Sequence, residues 1–377
     1  MRKKKILLLF SCLLAVVCSL AVGTLPVYSQ DSALGAASAS ESSTALREQP
    51  VYSQPPALGT ASASESSCTL RELPVYGAKL PALKVKGARL VNAKGKTVQL
   101  KGVSTHGLSW YPQYVNQKAF AYMKKNWHIN AVRLAMYTGE YNGYCTGDKA
   151  NRKALEKKID QGVRYAAKSG LYVIIDWHIL SDGNPKTYEK ESIAFFKKMA
   201  SKYKNRTNVI YEICNEPNGG VSWDTIKSYA EKVIKAIRAR DKNAVILIGT
   251  PNWSQDVDLA AENPIRGYKN IMYTLHFYAG THGEYLRNKA QTALDRGLPL
   301  FVSEFGISDA SGNGALNKAE GGLWMKFLNK NKISCIAWNL SNKAESSALL
   351  KTSCSKNSGW KSKDLTPWGK WLLKQWK

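Results

Sequence analysis

From about residue 83 onward, short apolar runs alternate with longer stretches in which apolar residues recur every three or four positions. The short runs read as strands over 98–103, 131–136, 172–176, 209–214, 245–249, 271–276, 300–304 and 334–339. The longer stretches read as amphipathic helices near 116–127, 151–169, 187–203, 223–240, 283–296 and 316–330. A shorter helix near 256–262 and a final one near 366–376 complete the set. Within the second, Leu155, Ile159, Val163 and Ala166 fall on one face. Eight strands, each followed by a helix, in roughly 280 residues predict a single (β/α)8 TIM barrel of the α/β class. An open doubly wound sheet would carry a Gly-rich phosphate turn after its first strand. Here that strand ends in Ser104-Thr105-His106-Gly107. The barrel also predicts polar residues at strand C-terminal ends, and His106, His178, Asn215, Glu216, His276, Glu304 and Trp338 fall there. Arg133 lies inside its strand and fits this rule least well. Ahead of the barrel, Asn92-Ala93-Lys94-Gly95 between residues 84–91 and 96–100 predicts an N-terminal β-hairpin.

The N-terminal part follows a different pattern. A basic stretch, Arg2-Lys3-Lys4-Lys5, precedes an apolar run from Ile6 to Val22, which reads as a signal peptide over 1–29 and implies secretion. Ala21-Val22-Gly23 and Val27-Tyr28-Ser29 both offer small residues for cleavage. The alternatives are an uncleaved membrane anchor and a lipoprotein modified at Cys18. Next, residues 25–48 match residues 49–72 at 18 of 24 positions. These units are rich in Ser and Ala and lack an apolar face, so they cannot offset the entropy of ordering. Residues 30–80 are therefore expected to be a disordered, low-complexity linker made by duplication, with the barrel domain over 81–377.

Charge adds a competing possibility. The chain has 54 Lys and Arg against 28 Asp and Glu, a net charge of +26. Residues 1–29 carry +4 and residues 30–72 carry −3, so nearly all of it sits on the barrel. Such an excess invites a nucleic-acid reading, but no helix-turn-helix, zinc or RNA-sheet signature accompanies it. The lysines are dispersed in pairs along helices, which fits a solvated cationic surface suited to acidic wall polymers. No nucleic-acid or protein partner is expected, and a monomer is. Seven Cys are too few for a disulfide scaffold, and five of them follow the signal. Cys214 and Cys335 read as small core residues, and a Cys145–Cys354 bridge is one open pairing.

The chemistry lies in two matched segments. Residues 209–217 run from a buried strand into Asn215-Glu216-Pro217, and residues 300–306 repeat the plan with Ser303-Glu304-Phe305-Gly306. Carboxylates at the ends of two strands of one barrel can face each other across its mouth. Glycoside hydrolysis needs such a pair, one to protonate the leaving oxygen and one to meet the anomeric carbon.

With Asp176-Trp177-His178 and Leu275-His276-Phe277-Tyr278, these motifs resemble glycoside hydrolase family 5, and within it bacterial secreted endo-β-1,4-glucanases. The resemblance covers about 85–377. It implies a retaining hydrolase of internal β-1,4-glucosidic bonds in cellulose and related β-glucans, with Glu216 as acid/base and Glu304 as nucleophile. It further implies that Asn215 binds the sugar 2-hydroxyl and that Arg133 and Tyr278 orient Glu304. His106, His178 and His276 would surround the cleaved sugar. As a bare pattern these three could be a zinc site, but no His-Glu-x-x-His occurs, and neither a metal nor another cofactor is expected. Trp110, Tyr111, Tyr137, Trp253 and Trp338 would stack on sugar faces, and Lys343 with Glu345 would contact substrate hydroxyls. Asn342 stands where relatives often carry Asp. The same chemistry on mannan, lichenan or xyloglucan is the alternative, followed by a non-catalytic polysaccharide-binding barrel.

Overall fold

The computed structural model describes residues 80–376. The expected signal peptide, the linker up to residue 79, Cys18 and Cys68 lie outside the described residues. Strands β1 (Leu83–Lys86) and β2 (Arg89–Asn92) form an antiparallel hairpin. Eight parallel strands follow: β3 (Lys101–Thr105), β4 (Ala131–Tyr137), β5 (Tyr172–His178), β6 (Val209–Glu212), β7 (Val245–Ile248), β8 (Ile271–Tyr278), β9 (Leu300–Gly306) and β10 (Cys335–Leu340). They close into a barrel in chain order, β10 pairing with β3, so the open-sheet alternative is excluded. The helices are α1 (Gln117–Asn126), α2 (Lys149–Lys168), α3 (Glu189–Tyr203), α4 (Trp223–Arg238), α5 (Pro251–Ser254), α6 (Val257–Glu262), α7 (Glu284–Asp295), α8 (Lys318–Asn331) and α9 (Pro367–Gln375).

Several helix starts have a local cause. Asn116, Asp148, Ser222, Asn317 and Thr366 each accept a hydrogen bond from a backbone N–H of the first turn, which satisfies a donor the helix itself cannot. Two expectations shift. The hairpin turn falls at Gly87-Ala88, where Gly87 has φ 55°, and the Asn92–Gly95 turn leads into a single bridge, Val91 to Thr97. The first barrel strand starts at Lys101 rather than residue 98, because the Val98 N–H bonds to Leu90 of the hairpin and the Leu100 N–H to the Ser334 hydroxyl.

Strand parity divides the core. On β4, Val132, Leu134 and Met136 face the helices, while Ala131, Arg133, Ala135 and Tyr137 face the barrel interior. On β5, Val173, Ile175 and Trp177 face outward and Tyr172, Ile174, Asp176 and His178 inward. The lower interior is apolar, built from residues such as Ile174, Ile210, Leu247, Phe301 and Ile336. Leu83 and Leu90 of the hairpin join this cluster and close the N-terminal mouth. The upper interior is polar, so functional groups emerge at the C-terminal mouth.

Close approach of β3 and β4 requires glycine. A Cβ on Gly102 would lie 2.4 Å from the Ala131 carbonyl oxygen. Gly102→Ala is therefore expected to lower stability by about 1–3 kcal/mol, read as a lower urea midpoint at unchanged m.

Cys145, Cys214, Cys335 and Cys354 are free thiols, so the Cys145–Cys354 bridge is not formed. Burial raises Cys145 and Cys335 to about 12, which keeps both protonated.

Candidate active site

The inward residues of β4, β5, β6, β8 and β9 converge on Arg133. Its guanidinium is fully buried and ion-paired to Glu212 (2.7 Å), Asp176 (3.0 Å) and Glu304 (3.0 Å). It also donates to the Asn215 side-chain oxygen. The residue that fitted the strand-end rule least well is thus the centre of the network. A planar fork with five donors suits this position, since each edge can serve a different acceptor.

Glu304, on β9, receives Arg133 at Oε2 and the Tyr278 hydroxyl at Oε1 (2.7 Å). Glu216 follows β6 and accepts from His276 Nδ1 (2.9 Å), while His276 Nε2 lies 2.8 Å from the Ser303 hydroxyl. One oxygen of Glu216, one of Glu304 and a ring nitrogen of His276 all lie within 4.8 Å of one another. Among the described residues this is the one trio of such groups close enough to share a cation; the His106, His178, His276 trio weighed from the sequence is not. Each member of the trio already has protein partners, which suits proton and charge handling between two carboxylates.

Four buried carboxylates face two cationic groups here, and a desolvated site disfavours that many like charges. Burial and the charge of Glu216 push Glu304 up to about 7, against the pull of His276, Arg133 and Tyr278. Burial alone would lower His276, but hydrogen bonds to Glu212 and Glu216 and the nearby carboxylates outweigh it and raise it to about 9. Burial likewise opposes Arg133 at Glu212, where the guanidinium wins and holds the carboxyl at about 2. His106 is lowered to about 3 by burial and the Lys343 charge, so it is a neutral ring. His178 is also lowered, by burial and then Arg133, and bonds Asp176 through Nδ1 at 2.6 Å.

The aromatic residues expected from the sequence gather on one side of this centre. His106 lies 4.9 Å from Tyr111, 5.8 Å from Trp110 and 5.3 Å from Trp338, measured between rings. Tyr137 packs against Trp110 at 4.6 Å and His178 at 4.1 Å. The Trp338–Asn339 peptide is cis, and the Trp338 ring stacks on His178. Lys343 pairs with Glu345 at 2.6 Å, and Glu345 accepts from Asn339 and lies 3.9 Å from His106 Nε2. Asn342 instead donates to the Cys354 carbonyl, a purely local bond.

Trp253 is not in the aromatic cluster; it stands 43% exposed on the turn after β7. Asn252, Trp253 and Ser254 all have φ near +56°, a costly left-handed run for side-chain-bearing residues. The turn is tied to the catalytic loop, since the Trp253 N–H bonds to the Pro217 carbonyl and the Ser254 hydroxyl to that of Asn215. Asn215 is fully buried, its oxygen on Arg133 and its amide on the Ile179 carbonyl and 3.3 Å from His178 Nε2. His282 is buried and accepts from the Tyr278 N–H.

Sequence reasoning passed over Asp176, Glu212 and Ser303 as site residues. A signal existed for Glu212: a lone carboxylate inside the apolar run 209–214 needs a buried cation, and Arg133 is the one Arg in a barrel strand.

A family model for cellulase, glycosyl hydrolase family 5, matches residues 91–344. Endoglucanase A of Butyrivibrio fibrisolvens is 47% identical over 294 residues, covering 78% of this chain and 68% of that protein. An endoglucanase of Clostridium saccharobutylicum is 49% identical over 293 residues, covering 78% of this chain and 64% of that one. The catalytic domain of Thermobifida fusca endoglucanase Cel5A, solved with cellotetraose, has 34% identity and a TM-score of 0.72. That match covers 78% of this chain and 97% of that domain.

Proposed function

The chain belongs to glycoside hydrolase family 5, and from that premise we propose that it is a secreted, monomeric endo-β-1,4-glucanase acting with retention of configuration. One observation carries the mechanism: oxygens of Glu216 and Glu304 approach within 4.8 Å. Retaining pairs sit about 5–5.5 Å apart, whereas inverting pairs leave about 6.5–9.5 Å for a water. Glu304 attacks the anomeric carbon while Glu216 gives its proton to the glycosidic oxygen, and the bond between them breaks. Water then attacks the resulting ester, Glu216 takes its proton, and Glu304 is released. Arg133 and Tyr278, both bonded to Glu304, favour its charged form at attack. His276 holds Glu216 in reach and carries positive charge that can follow the proton. The ring of aromatics around His106 and Trp338 offers faces for sugar C–H groups. The basic end and apolar run of residues 2–22 support export.

Cellopentaose hydrolysis followed by NMR tests substrate, bond and stereochemistry at once. The β-anomer should appear first; initial α-product would mean inversion, and inertness beside a mannan that is cleaved would reassign the substrate.

The site also has a pH signature. Activity should rise through the neutral range as Glu304 loses its proton, since it lies at about 7. Glu216→Gln removes the facing negative charge, so the acid limb of kcat/KM should move to lower pH. An activated aryl cellobioside, whose leaving group needs no acid, allows that variant to be measured. A limb that stays in place would show that the facing carboxylate is not what raises Glu304.

A further inference from the structure

Positive charge is unevenly distributed around the barrel. Residues 351–376, α1 and α2 together carry sixteen Lys and Arg against three Asp and Glu. Residues 251–295, which hold α5, α6 and α7, carry four against five. These segments follow β10, β3 and β4 on one side and β7 and β8 on the other, half a turn away in the closed strand order.

The basic segments form one continuous flank. Asn116 donates to the Asn357 carbonyl and Tyr122 to that of Trp360, joining the C-terminal segment to α1. Gln117 at the start of α1 bonds Ser169 at the end of α2. The flank's three carboxylates are already ion-paired, Asp364 to Lys356, Glu156 to Lys198 and Asp160 to Lys202, and the last two serve lysines of the neighbouring α3. Lys149, Lys153 and Lys157 are exposed at four-residue steps along α2, about 6 Å apart along the axis. Lys124 and Lys125 on α1 are exposed as well, as are Lys361 and Lys363 beyond it.

We propose that this flank is a docking surface for a linear carboxylated polysaccharide, a polyuronate, bound outside the cleavage groove. The identity of the polyanion rests on the β-glucanase reading, because an enzyme that cleaves a polysaccharide works among polysaccharides, and a polyuronate is a polysaccharide whose charge complements a cationic flank. A row of ammonium groups along a helix face offers successive cations to a linear polymer that carries repeated carboxylates. Bound there, the polymer would raise the local concentration of enzyme beside its neutral substrate while leaving the groove open.

Affinity electrophoresis of the full chain through gels containing polygalacturonate tests this. Two double variants change net charge equally: Lys124→Glu with Lys153→Glu on the flank, and Arg266→Glu with Lys269→Glu on the far side, where both residues are exposed. Retention at low salt should weaken about tenfold in the flank variant and less than about twofold in the other, and should vanish near molar salt. Hydrolysis of soluble cello-oligosaccharides should stay unchanged in both. Equal weakening would reduce the effect to net charge and overturn the site. So would equal retention on fully methyl-esterified polymer, or no retention at all. Tighter binding to DNA than to polygalacturonate at matched charge would overturn the polyuronate assignment. Retention without hydrolysis of any neutral β-glucan would defeat the enzymatic reading and leave the docking surface standing.

Discussion

Glu304→Gln should lower kcat on carboxymethylcellulose by about 10⁴-fold or more, some 5 kcal/mol of barrier at ~1.36 kcal/mol per decade. The amide cannot form the glycosyl ester, and Glu216 cannot replace it because it lies on the proton-donating side of the bond. The fold should tolerate the change, since Gln keeps an oxygen to accept from Arg133 and its amide can donate to the Tyr278 hydroxyl oxygen. Stability gives a second readout with a definite sign. The folded pKa of Glu304 is raised to about 7, so its protonated form stabilises the native state below the unfolded value near 4.5. That contribution is lost as pH rises through about 7. The variant has no such contribution to lose. Its melting temperature should therefore gain on that of the parent between about pH 5 and about pH 8. A variant that retains a tenth of the parent rate would refute Glu304 as nucleophile. Glu216→Gln should match the loss on carboxymethylcellulose yet spare the first step on an activated aryl cellobioside, which separates the two roles.

The second large effect is expected at Arg133. Its side chain is fully buried and faces three carboxylates at 2.7–3.0 Å. Arg133→Met keeps much of the volume but strands Glu212 and Glu304 in a desolvated site without their cation. Removing one partner of a buried ion pair costs on the order of 3–5 kcal/mol, so the melting temperature should fall on the order of 10 °C. Activity should fall with it, because Glu304 loses a group that favours its charged form. Arg133→Lys should recover part of the stability and little of the rate, since one ammonium cannot span the Glu212 and Glu304 edges together. If the Met variant melts and turns over like the parent, the network is not what holds the nucleophile. The contrast with Glu212→Gln is informative. That change keeps an acceptor for the arginine Nε, so it should perturb stability far less than loss of the cation.

Much of this site is written in strand parity. An apolar strand buried on both faces shows a near-continuous hydrophobic run, and polar residues two apart within it mark the interior face. Asp176 with His178, and His276 with Tyr278, are such pairs, and they meet the barrel mouth as the alternation requires. Glu216 and Glu304 were legible because each ends a buried strand with no partner in its own segment. Trp110, Tyr111, Tyr137 and Trp338, singled out in or after strand ends, gather around His106. The surroundings of Trp253 and Asn215 were not legible. The left-handed run that exposes Trp253 depends on bonds to Pro217 and Asn215 across a neighbouring loop, and a propensity-based reading has no access to such bonds. Asn215 is drawn to Arg133, and nothing local to residue 215 indicates that.

By itself, then, the amino-acid sequence determined the order and phase of the barrel elements, the interior face of each strand and the residue types at the mouth. These follow from period and local chemistry, which act over a few residues. Only the tertiary structure decided that Arg133 is the hub, that Glu212 is its nearest ion-pair partner, and that burial and the facing Glu216 charge push Glu304 up. Those outcomes depend on distances of a few ångströms between strands far apart in the chain, and Coulomb and desolvation energies change steeply over that range.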